Sequence, residues 1–92
     1  MTPDPDEATL VARAINRDRE AFAELYFRHH DVVLRRVRRV IGDTQDSYDI
    51  TSEVFLRAWN TIDRYEDRGV PILAWLCTIG HRLAIDSDRP SG

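Results

Sequence analysis

Several groups of side chains have types and spacings that could do chemistry. Asp49 and Glu53 lie four residues apart, so on a helix their carboxylates are neighbours on one face. Paired carboxylates can act as general acid and base. That work also needs a pocket and a third polar partner, and no nearby residue offers them. An acidic face turned to solvent accounts for the pair more simply. The sequential pair His29-His30 points in two directions on a helix, and His81 is remote in sequence. No Cys/His spacing matches a metal site, and no glycine-rich phosphate loop occurs. These patterns give no catalytic residues, no metal ligands and no cofactor.

Arginine is the more informative residue. All 13 basic residues are arginine. GC-rich coding alone favours that, but arginine also grips phosphates in bidentate fashion and stacks on bases. Arg35, Arg36, Arg38 and Arg39 form one cluster, whose simplest account is a solvated helix face. It would also attract a phosphate backbone or an acidic partner. Farther on, Arg64, Tyr65 and Arg68 precede Trp75, Thr78, His81 and Arg82. Arginine interleaved with aromatic rings suits single-stranded or locally opened nucleic acid. Packing of Tyr65 and Trp75 into the core would account for the two rings equally well.

The elements that position these residues are helices. A chain of 92 residues with 42% hydrophobic and 32% charged content forms one modest core. The net charge of −3 does not announce a nucleic-acid binder, so the distribution of charge matters more than the sum. The single cysteine, Cys77, excludes an intrachain disulfide and fits a reducing, cytoplasmic setting. No apolar run approaches the roughly 20 residues that span a bilayer. The acidic, proline-bearing start is unlike a signal peptide.

A first helix is expected from Asp6 or Glu7, with Leu10, Val11, Ala14 and Ile15 on its apolar face. Asp18 is a suitable N-cap for a second, long helix. Its apolar series runs Phe22, Leu25, Tyr26, Val33, Val37, Val40 and Ile41, and Gly42 ends it. Asp46 or Ser47 is expected to cap a third helix. That helix buries Ile50 or Thr51, then Val54, Phe55, Ala58, Trp59 and Ile62, and exposes Asp49, Ser52, Glu53, Leu56 and Asn60. Residues 63–70 read as a loop. Pro71 opens a fourth helix that buries Ile72, Trp75, Leu76, Ile79 and Leu83 and exposes Thr78, His81, Arg82 and Ile85. No segment alternates with period two over strand length. The fold class is therefore all-α, a bundle of about four helices.

Three segments in order carry a resemblance: DREAFAELYFRHHDVVLRRVRRVIGD (18–43), DSYDITSEVFLRAWNTIDRYE (46–66) and ILAWLCTIGHRLAIDSDR (72–89). Over about residues 7–89 the chain resembles region 2 of the extracytoplasmic-function (group IV) bacterial RNA polymerase sigma factors. That resemblance implies a transcription initiation factor domain and no enzyme. It implies docking of the third helix on the β′ coiled coil of RNA polymerase core, through Asp49, Ser52, Glu53, Leu56 and Trp59. It also implies recognition and melting of the promoter −10 element, with capture of an opened non-template strand. The matching DNA-facing positions are Arg64, Tyr65, Arg68 and Gly69 in the loop, and Thr78, His81, Arg82 and Arg89 on the fourth helix.

An anti-sigma factor is a further partner that the family implies. Residues 1–6 are then an arm, 7–89 the domain, and 90–92 the start of a linker to a C-terminal −35-binding domain absent from this sequence. Ser52 stands where the family commonly has glutamine, Tyr48 where it has alanine, and Gly80-His81-Arg82 where it has Ala-Arg-Asn. These departures leave a second reading, a sigma-like helical interaction module without promoter readout.

Overall fold

Each helix begins and ends where local chemistry directs it. In the computed structural model, which describes residues 6–66 and 69–88, α1 spans Glu7–Ile15, α2 Arg19–Ile41, α3 Gln45–Thr61 and α4 Ile72–Asp88. The Asp6 carboxylate caps α1 by accepting from the Thr9 amide at 2.8 Å. Asp18 caps α2, accepting from the amides of Glu20 and Ala21 at 3.0 and 3.2 Å. Arg13 also donates to Asp18 at 2.9 Å, so the end of α1 is tied to the start of α2. Both carboxyls titrate below the ordinary carboxylate value. The cause is the Thr9 hydrogen bonds for Asp6, and for Asp18 first the Arg13 guanidinium, then the amides it caps.

α2 ends at Gly42, whose φ of 86° is open to glycine and rare for other residues. Its amide closes the last turn on the Arg38 carbonyl at 2.8 Å. The start of α3 differs from expectation. The N-cap is Thr44, with no side-chain cap bond, rather than Asp46 or Ser47. Ser47 is instead fully buried, and its hydroxyl donates back to the Thr44 carbonyl at 2.6 Å. A buried hydroxyl needs such a partner, and the carbonyl supplies it locally. The expected loop also begins with structure, a single 3-10 turn at Ile62–Arg64 that extends α3.

The core is shared by all four helices. Leu10 and Ala14 of α1, Leu25, Val33 and Val37 of α2, Val54 and Ala58 of α3, Ile62, and Leu76 and Ala84 of α4 are all buried. On α4 the expected stripe is only partly right. Trp75, Ile79 and Leu83 are half-buried, while Gly80 and Ala84 take the deepest positions. Gly80 explains this shift. A methyl placed there would lie 3.3 Å from the Val54 side chain and 3.4 Å from that of Val37. The missing side chain lets α4 press directly on α2 and α3. Helical crossings this close need small residues at the contact. Residue 80 therefore sets how near α4 comes to α2, and with it the groove described below.

Among the described residues the fold contains no strand, and no helix is long and apolar enough to cross a membrane. The expectations for the arm at residues 1–5, for Arg68, and for Arg89 with the linker start fall outside the described residues.

Candidate functional site

The close approach of α2 and α4 leaves a groove of about 700 Å³ along their outer sides. Pro71, Leu73, Ala74, Cys77, Thr78, His81 and Arg82 line it from α4 and the residue before it; Arg36, Arg39 and Val40 line it from α2. The expected α4 residues Thr78, His81 and Arg82 are thus brought together, and all three are exposed. They meet the arginine cluster of α2, which is 40 or so positions away in sequence. Sequence reasoning weighed that cluster alone and did not join it to α4. Spacing within one helix carries no signal for such a meeting.

The groove's electrostatics are lopsided. Arg36, Arg39 and Arg82 contribute cations, and among the described residues no acidic side chain lines it. Cys77 sits on its floor. Partial burial pushes the thiol above its ordinary value, with Arg36 pulling weakly the other way.

At the Pro71 end the groove meets the loop. Tyr65 stacks at a tilt on Trp75, with ring centroids 5.0 Å apart, and its hydroxyl donates to the Val70 carbonyl at 2.9 Å. Tyr65 therefore braces the loop across its base. Arg64 is exposed, and Gly69 has a φ of 82°, in the left-handed region that glycine favours.

The face of α3 is a separate surface. Asp49, Ser52 and Leu56 are exposed, Leu56 to 55%. Glu53 is half-buried and held by Arg57 at 3.0 Å. Trp59 does not join this face freely. Its ring packs on Phe22 at 5.2 Å, and the Arg17 guanidinium lies 3.9 Å from the ring centre. Arg17 also donates to the Trp59 carbonyl at 2.6 Å. Beside this cluster Phe27 is 75% exposed, an apolar side chain that the periodicity of α2 did not single out. Phe22, Tyr26, Phe27 and Trp59 line a shallow apolar groove there.

His29 and His30 have separate partners. His29 pairs with Glu7 of α1, and His30 lies 3.2 Å from Asp31. Among the described residues no cluster of His, Cys, Asp and Glu could hold a metal ion.

Comparison with known proteins bears on the whole arrangement. Residues 25–89 match the Sigma-70 region 2 family. The ECF RNA polymerase sigma factor SigK of Mycobacterium sp. (strain KMS) is 35% identical over 89 residues, covering 97% of this chain and 45% of the relative. SigK of Mycobacterium tuberculosis (strain ATCC 25618 / H37Rv) is 36% identical over 84 residues, covering 91% of this chain and 45% of the relative. The chain thus spans less than half the length of these curated relatives. No solved structure matches it. The similarity bears out the resemblance seen in the three sequence segments, and it agrees with the all-helical fold. The chain belongs to the Sigma-70 region 2 family, a family of non-enzymatic transcription initiation factors.

Proposed function

We propose that this chain acts in transcription initiation by binding RNA polymerase core through the β′ coiled coil and by recognising and melting the promoter −10 element. The exposed face of α3, with Asp49, Ser52, Glu53 and Leu56, is the polymerase-binding surface, and Trp59 contributes at its edge. Carboxylates meeting basic side chains of a coiled coil would form charge-assisted pairs around the apolar Leu56. Arg64, Tyr65, Arg68 and Gly69 of the loop, with Thr78, His81, Arg82 and Arg89 of the last helix, receive the opened non-template strand. No bond is made or broken. The domain works by binding opened DNA better than closed duplex, and that difference offsets the few kcal/mol, roughly, needed to unstack a base.

The observation that carries this reading is the line of Thr78, His81 and Arg82 along the open wall of a groove that starts at the recognition loop. It is tested in two arms. β′ coiled-coil capture should be lost on Glu53→Arg. Binding of core-assembled protein to a −10 oligonucleotide of the non-template strand should weaken on Arg82→Ala. Capture unchanged by Glu53→Arg, together with equal binding to every DNA sequence, would defeat it. Retained capture of β′ without any sequence preference would favour the interaction-module reading, which the exposed Phe27 and the serine at position 52 support. An anti-sigma factor that masks these surfaces, a cytoplasmic location, and a domain boundary near residues 7 and 89 complete the proposal.

A further inference from the structure

We infer that a second copy of this chain docks on α2, and that the two copies pair antiparallel through Arg19, Ala23, Phe27 and Asp31 of each. The inference goes beyond the proposed function and does not rest on it.

Spacing makes the surface. These residues follow one another at steps of four, so they form one continuous ridge along α2. All four are exposed, Phe27 to 75% and the Asp31 side chain to 92%. Beside the ridge runs the shallow groove of about 470 Å³ lined by Phe22, Ala23, Tyr26, Phe27 and Trp59, with Arg19 at its edge. Ridge and groove together make a contiguous apolar patch, the mark of a contact surface.

The order of the ridge identifies the occupant. It reads cation, small, large apolar, anion. A half-turn about the point midway between Ala23 and Phe27 sets Arg19 opposite the other copy's Asp31, and Ala23 opposite the other copy's Phe27. A patch complementary to itself in this way is what a twofold dimer requires. When two helices cross at about −50°, such a ridge on each lies in the groove beside the ridge of the other. Each Phe27 then enters the aromatic groove of the other copy, and an Arg19–Asp31 pair closes either end. The result is an apolar centre with a charged rim. The charges are available for it. Among the described residues Arg19 has no ion-pair partner, and Asp31 has only its neighbour His30, at 3.2 Å.

Other arrangements of two copies are worse. Side by side in parallel, Arg19 would face Arg19 and Asp31 would face Asp31. Slid by four residues, Arg19 falls on Phe27 or Asp31 falls on Ala23, and a charge exchanges water for an apolar neighbour. One helix face buries less than about 1,200 Å² in total, so the pairing is weak and depends on concentration.

Sedimentation velocity over a concentration series tests it. The wild type should pass from monomer to dimer as its concentration rises. Arg19→Glu and Asp31→Arg each place like charges at both ends, and each should raise the dissociation constant about tenfold or more. The double variant Arg19→Glu/Asp31→Arg should dimerise like wild type, and an equal mixture of the two single variants should form a heterodimer. Phe27→Ala should weaken the dimer about tenfold or more while the circular dichroism spectrum stays unchanged, since Phe27 is outside the core. A wild type that stays monomeric at every concentration overturns the inference. So does a dimer indifferent to Phe27→Ala, or one that the single charge reversals weaken and the double variant fails to restore.

Discussion

Arg17 reaches across the bundle to cap the end of α3, donating to the Trp59 carbonyl at 2.6 Å with its guanidinium 3.9 Å from the centre of the Trp59 ring. It does so from a backbone φ of 69°, the one left-handed non-glycine residue among those described. That conformation costs an arginine roughly 1 kcal/mol relative to glycine. The side chain recovers this by satisfying a carbonyl that the helix leaves without a partner and by covering an indole face.

Three substitutions separate these contributions. Arg17→Ala keeps the backbone cost and loses both contacts, and should lower stability by about 1–2 kcal/mol. Arg17→Gly loses the same contacts but relieves the backbone, so its loss should be smaller by roughly 1 kcal/mol. Arg17→Lys should fall between wild type and alanine. Chemical denaturation followed by circular dichroism measures all three. Glycine as destabilising as alanine would show that the φ angle carries no strain.

Gly80 makes a second prediction about packing. Glycine in a helix interior is normally about 1 kcal/mol worse than alanine. Here an added methyl would meet Val54 at 3.3 Å, so the gain in helix propensity is opposed by crowding. Gly80→Ala should change stability by less than about 1 kcal/mol, and Gly80→Leu should cost about 1–3 kcal/mol or more by overpacking. Leucine there should also widen the groove and weaken strand binding. A full 1 kcal/mol gain on Gly80→Ala would mean that α4 does not press on α2 and α3 as closely as described.

The contrast between Asp18 and Gly80 shows what the sequence made legible. Asp18, Gly42 and the apolar series of α2 act through neighbours within four residues, so periodicity and capping rules reveal them. Gly80 reads as a local cost in the sequence because its reason lies in Val37 and Val54, on two other helices. Trp59 reads equally as core and as surface, and it is Phe22 and Arg17, 37 and 42 residues earlier, that decide how much of it is covered. The groove was hidden for the same reason. Arg36 and Thr78 each look solvated in their own helix, and their proximity exists only after α2 and α4 pack. Leu34, buried on a side of α2 away from its main stripe, escaped a one-face reading as well.

Acid should loosen the junction between α1 and α2. The Asp18 carboxyl is lowered in the folded state by Arg13 and by the amides it caps. A lowered folded value means that its contribution is fully present above the unfolded carboxylate value of about 3.9 and is lost as pH falls through the lower folded value. Asp6 acts in the same direction through Thr9. Thermal melts between about pH 5 and pH 2 should show stability falling with pH, and Asp18→Asn should flatten part of that fall. A variant whose melting curve keeps the wild-type acid slope would remove Asp18 as a contributor.

Cys77 offers a reporter inside the groove. Its thiol is held above the ordinary value by partial burial, and Arg36 is the one cation that opposes the shift. Alkylation requires the thiolate. The iodoacetamide reaction should therefore be slow at neutral pH and climb only above about pH 8.5, the range of a free thiol. Removing the opposing charge with Arg36→Gln should slow it further at any fixed pH in that range. An oligo-dT strand seated on the floor of the groove should slow it as well, because Cys77 would then be covered. The two effects are separable: the first persists without nucleic acid, and the second should weaken with added salt as the strand is released. Rapid alkylation at pH 7 would contradict the burial of the thiol. Protection absent at saturating strand would place the nucleic acid outside the groove.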